Sequence, residues 1–70
     1  MLPLNLADMG EPQIVKKIGG TPEVKKHLTD LGFTVGGEVS LVSMLGGNVI
    51  VKVKESRVAI SDELSRKIMV

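Results

Sequence analysis

The residues best suited to chemistry in this chain are few. His27 is the only histidine among 70 residues, and there is no cysteine. Glu23, His27 and Asp30 fall at i, i+4 and i+7, so a helix would project all three from one stripe. Fe²⁺ or Zn²⁺ could take nitrogen and oxygen ligands from such a stripe. A solvated helix flank beside an apolar face accounts for the same three residues and is the preferred reading, so no resident metal or other cofactor is expected. Any iron affinity the chain has would run through His27. The adjacent carboxylates Asp62 and Glu63 sit where a helix would start, a placement that favours negative charge without any catalytic role. Without a thiol, and with no Ser/His/Asp set at workable positions, the chain is not expected to be an enzyme.

Binding is the remaining class of function. Lys16, Lys17, Lys52 and Lys54 could form a basic edge, but nine Lys and Arg against eight Asp and Glu leave a net charge of +1. Recognition of unpaired bases relies on stacking aromatics, and Phe33 is the only aromatic residue. Nucleic acid is therefore not an expected partner, although a small barrel binding RNA or another protein is kept as an alternative. Apolar residues in turns point instead to a protein partner. Phe33 and Val35 lie in the segment from Leu31 to Gly37, where polar residues would be ordinary, and Met44 and Leu45 stand just before the Gly46-Gly47 turn. Leu31, Phe33, Val35, Met44 and Leu45 are the partner-binding candidates; for Phe33 core packing is the preferred role, and for Val35 core packing and surface display stand level.

The elements that must carry these residues can be read in order. Met1 to Gly10 reads as an extended lead-in, with Leu4 and Leu6 alternating with polar neighbours. Gln13 to Ile18 is expected to be a first strand of imperfect alternation, and a bulge near Lys16 or Lys17 would bring Val15 and Ile18 to one face. Thr21-Pro22 is a helix start: Thr caps, and Pro at the first helical position lacks a donor that would be orphaned anyway. Val24, Leu28 and Leu31 then form one apolar stripe, Gly32 is the left-handed stop, and Phe33 packs back on the last turn.

Beyond the turn at Thr34 to Gly37, Glu38 to Met44 and Val49 to Lys54 read as strands joined through Gly46-Gly47-Asn48. Val49, Val51 and Val53 alternate cleanly with Ile50, Lys52 and Lys54, the pattern of a sheet with one wet face. A turn at Glu55-Ser56, a strand at Arg57 to Ile60, one helical turn opening at Ser61-Asp62-Glu63 and a closing strand at Lys67 to Val70 complete the chain. Short strands at turn-like spacing with one inserted helix predict a single mainly β domain over residues 1–70, a small barrel or roll.

The stretch Leu31-Gly32-Phe33-Thr34-Val35-Gly36-Gly37-Glu38-Val39, the hairpin VIVKVKESRVAI and the closing KIMV resemble the FeoA family of ferrous-iron transport proteins. That family commonly ends its helix in Leu-Gly-apolar and continues through a glycine turn into Glu-Val; Val35 stands where its turn commonly has Pro. The resemblance spans essentially the whole chain. It implies an SH3-like β-barrel with an inserted α-helix and a short C-terminal helical turn. It also implies an accessory role in ferrous-iron uptake, exerted on the cytoplasmic G-protein domain of a FeoB-like permease. A related SH3-like domain ends some metal-dependent repressors, so a metal-sensing regulatory domain is a further alternative.

Met1 to Gly10 lacks the basic start and apolar run of a signal peptide. No apolar run approaches the ~20 residues needed to span a bilayer. A cytoplasmic protein that is not inserted in the membrane is expected, and open strand edges leave weak self-association possible.

Overall fold

A computed structural model describes all residues, 1–70. Helix α1 runs from Pro22 to Asp30. Its N-cap is Thr21, whose Oγ1 accepts the Val24 N–H at 3.3 Å. Leu28 is its one buried residue, with Val24 and Leu31 half-buried against the same core. The helix stops as its sequence requires. The Phe33 N–H bonds back to the Leu28 carbonyl at 3.0 Å and the Gly32 N–H to the Thr29 carbonyl at 2.9 Å, the two bonds of a Schellman cap. Gly32 takes φ +110°, and a Cβ there would sit 3.0 Å from Val53 Cγ1, so both the backbone and the space demand glycine.

The main sheet is built from β1 (Pro12–Ile14), β3 (Glu38–Leu45), β4 (Asn48–Val53) and β5 (Ser56–Ser61), all antiparallel, in the order β1-β3-β4-β5. A second, two-stranded sheet pairs β2 (Lys17–Ile18) with β6 (Ile68–Met69). The first expected strand is thus two strands in two sheets. Between them Val15 is buried, its N–H bonded to the Gly37 carbonyl at 2.9 Å, while the Lys16 N–H bonds to the Met69 carbonyl at 2.8 Å. The imperfect alternation read there marks a change of sheet rather than a bulge within one strand. A bulge does occur in β3, where Leu41 opposes Val51 but Ser43 opposes Ile50, leaving Val42 as the extra residue.

The inner face carries Val39, Leu41, Val49, Val51, Val53 and Ile60, which with Phe33, Leu28, Leu4, Val15, Ile68 and Val70 make one core. The two sheets do not close into a continuous hydrogen-bonded ring; they face each other around this core in the SH3-like manner. Helix α2 (Asp62–Ser65) follows β5 directly, capped by Ser61, whose Oγ accepts the Leu64 N–H at 3.1 Å.

Two local expectations change. The lead-in is not extended throughout, since Leu4–Leu6 form a 3₁₀ turn that sinks Leu4 into the core and leaves Leu6 exposed. The β4–β5 turn is Lys54-Glu55, with Ser56 already in the strand. Lys54 takes φ +56° there, the only non-glycine residue with positive φ. No helix is long and apolar enough to cross a membrane.

Candidate functional site

Helix α1 holds Glu23, His27 and Asp30 on its exposed side. The structure gathers no group of three or more His, Asp or Glu side chains able to hold a metal ion, and these three are no exception. All three side chains are exposed on the flank of α1, away from the buried Leu28. At α2, both carboxylate oxygens of Asp62 are engaged: Asn5 Nδ2 donates to Oδ1 at 3.3 Å, and Arg66 pairs with Oδ2 at 2.8 Å. Its backbone carbonyl also accepts the Ser65 hydroxyl at 2.6 Å. Asp62 thereby ties the lead-in to the short helix.

The apolar candidates divide by burial. Phe33 is fully buried, with 0% exposure, and Leu31 is half-buried against the core. Phe33 is corrected from a partner contact to core packing, because the Schellman cap turns it inward, whereas Leu31 keeps part of its surface accessible. Val35 is 67% exposed, Leu45 68% and Met44 46%. Val35 stands out although its neighbours are firmly held: the Gly36 N–H bonds to the Val15 carbonyl at 2.8 Å and the Gly37 N–H to the Thr34 carbonyl at 2.9 Å. Gly36 takes φ +87°, which lets the chain reverse there and leaves the side chain before it pointing into solvent.

Met44 and Leu45 crown the β3–β4 hairpin, whose turn closes with Gly46 at φ +59°. The Gly47 carbonyl accepts the Asp62 N–H at 2.9 Å, so this tip rests against the start of α2. Val35 and Leu45 flank opposite ends of β3, an eight-residue strand roughly 25 Å long at about 3.3 Å per residue. They are two separate apolar points, not one patch.

Residues that sequence reasoning did not single out also reach the surface. Leu6 and Met9 are more than half exposed. Met9, Pro12, Ser40, Val42, Lys52 and Lys54 border an open depression of about 750 Å³ on the outer face of the main sheet, beside the β3 bulge. Only the bulge at Val42 could have signalled this hollow, and no turn residue in the sequence marks it.

With this geometry in view, comparison with known proteins decides the family. A family model described as the FeoA domain matches residues 2–70. The chain belongs to the FeoA family. It is 37% identical, over all of its 70 residues and 85% of the relative's length, to a protein of Methanocaldococcus jannaschii named Fe(2+) transport protein A. It also superimposes on the crystal structure of an iron uptake regulatory protein (FeoA) with a TM-score of 0.86 and 27% identity, over 96% of this chain and 89% of that one. The FeoA resemblance and the SH3-like fold read from the sequence therefore hold, and the match runs through both apolar points of this FeoA-family chain.

Proposed function

We propose that this FeoA-family chain is an accessory protein of ferrous-iron transport that acts in the cytoplasm by binding and modulating the G-protein domain of a FeoB-like permease. The observation that carries the reading is the match to the FeoA domain over residues 2–70, which leaves almost no residue outside the shared unit. The names of the relatives, one a Fe(2+) transport protein and the other an iron uptake regulator, support the same process.

In this reading iron is the permease's cargo, and the chain performs no reaction of its own. Val35, Met44 and Leu45 are the contacts offered to the partner, because large apolar side chains held clear of a small domain gain most by being covered. The test is a pulldown of the permease's isolated cytoplasmic domain by the full chain and by Val35→Asp and Leu45→Asp. The expected result is capture by the parent chain and weaker capture by each variant; equal capture by all three removes these contacts from the proposal.

A further inference from the structure

Strand β5 is the last strand of the main sheet, and one side of it is unpaired. Its register against β4 runs from Val53 opposite Ser56 to Asn48 opposite Ser61. The pair that closes a two-residue hairpin exchanges hydrogen bonds, so Ser56, Val58 and Ile60 point their backbone groups at β4. The Asp62 N–H bond to the Gly47 carbonyl continues the same parity. The N–H and C=O groups of Arg57 and Ala59 therefore face outward, and none of them has a backbone or side-chain partner in the molecule. Both residues are exposed, and β5 contains no proline. An uncovered edge of this kind is a template for one more strand.

The side chains beside the edge say what that strand would carry. Arg57 lies directly opposite Lys52 on the outer face. Like charges placed opposite each other in a sheet are unfavourable, and Lys54 adds a third cation at the adjoining turn. The one ion pair in the molecule joins Arg66 to Asp62, so none of these three cations is neutralised within salt-bridge distance. A second copy of this chain would bring the same cationic row to the edge. An acidic strand would relieve it, since a carboxylate placed opposite Arg57 lies one strand spacing, about 4.8 Å, from that residue's row and two from that of Lys52.

We infer that the β5 edge is a docking site for an extended acidic segment of a partner protein, which adds antiparallel or parallel to β5 through Arg57 and Ala59 and sets its carboxylates against Arg57, Lys52 and Lys54. This site is distinct from Val35 and Leu45 and needs neither iron nor a permease, so its test stands apart from that of the proposed function.

The test is an NMR titration of the full, isotope-labelled chain with a synthetic peptide of alternating threonine and glutamate, and with its threonine–lysine counterpart. The expected result is saturable shifts concentrated at Arg57 to Ser61 with slowed exchange of the Ala59 amide, seen with the glutamate peptide alone. Arg57→Glu should weaken that binding about tenfold or more. Ala59→Pro removes an outward donor without breaking the β4 ladder, a substitution that edge strands tolerate, and should weaken it as well; Arg57→Glu keeps the test valid should the proline variant not fold. The inference is overturned by equal binding of the two peptides, by shifts elsewhere on the molecule, or by no saturation at millimolar peptide. It is equally overturned if the same amides shift with protein concentration alone, which would assign the edge to a second copy, or if an oligouridine binds there more tightly than the glutamate peptide.

Discussion

The two apolar loops at the ends of β3 look alike in sequence and differ in structure. The junction from Leu31 to Gly37 and the tip from Met44 to Asn48 each place large aliphatic or aromatic side chains beside glycines. In the junction, the helix cap draws Phe33 to full burial, and only Val35 escapes. At the tip there is no such cap, and Met44 and Leu45 both stay exposed. An apolar residue in a turn marks a contact surface only when the backbone turns it outward. One positive-φ glycine, Gly32, sends the next side chain inward, and another, Gly36, reverses the chain just after a side chain left outside.

Truncating one residue in each loop separates the two most strongly. Phe33→Ala should cost about 3–5 kcal/mol in urea unfolding, most of the stability expected of a domain this small. Leu45→Ala should stay within about 0.5 kcal/mol of the parent. Similar losses from the two would deny that burial separates the loops.

Next in size is the cap itself. Gly32→Ala is expected to lower stability by about 2 kcal/mol, from the left-handed backbone and from the close approach to Val53. Thermal melts followed by circular dichroism would measure it, and an unchanged midpoint would mean that the cap does not hold the junction. Smaller again, and read in binding rather than folding, are Val35→Asp and Leu45→Asp. Each is expected to leave the melting midpoint in place and weaken capture of the permease domain about tenfold, and because the sites are far apart the double variant should lose about a hundredfold. Isothermal titration would expose any shortfall from additivity.

The smallest expected effect compares the two hairpin turns. Gly46 and Lys54 share nearly the same positive φ, +59° and +56°, but only one is glycine. Lys54→Gly should therefore stabilise by about 0.5 kcal/mol, while Gly46→Ala should destabilise by about 1 kcal/mol. Opposite signs in chemical denaturation are the result to look for.

Much of this architecture is written locally in the chain. The Thr21-Pro22 start and Gly32 stop of α1, the Val49/Val51/Val53 face and the Ser61 cap all follow from short-range rules, and they appear where those rules put them. What eluded sequence reasoning depends on contacts distant along the chain. Val15 is buried because Gly37 and Met69 take up the backbone around it; the imperfect alternation of Gln13 to Ile18 marks an irregularity, but only those distant partners make it a change of sheet. The 3₁₀ turn at Leu4–Leu6 is held from the far end of the chain through the Asn5–Asp62 bond.

The candidate contacts were half legible for the same reason. Apolar character in a loop can be read from sequence, but whether Phe33 or Val35 faces the core is decided by φ at Gly32 and Gly36. The hollow beside Val42 and the cationic row of Lys52 and Arg57 depend on strand register, which no single strand contains.

We propose that this FeoA-family chain presents its two exposed loops to the cytoplasmic domain of a FeoB-like permease. The most direct test is an NMR titration of the labelled chain with that domain, with and without guanine nucleotide. The expected result is saturable shifts at Val35 to Gly37 and at Met44 to Asn48, with the amides of Leu28 and Phe33 undisturbed. No shift at several-fold excess in either nucleotide state, or shifts confined to Glu23, His27 and Asp30 on the helix flank, would contradict it.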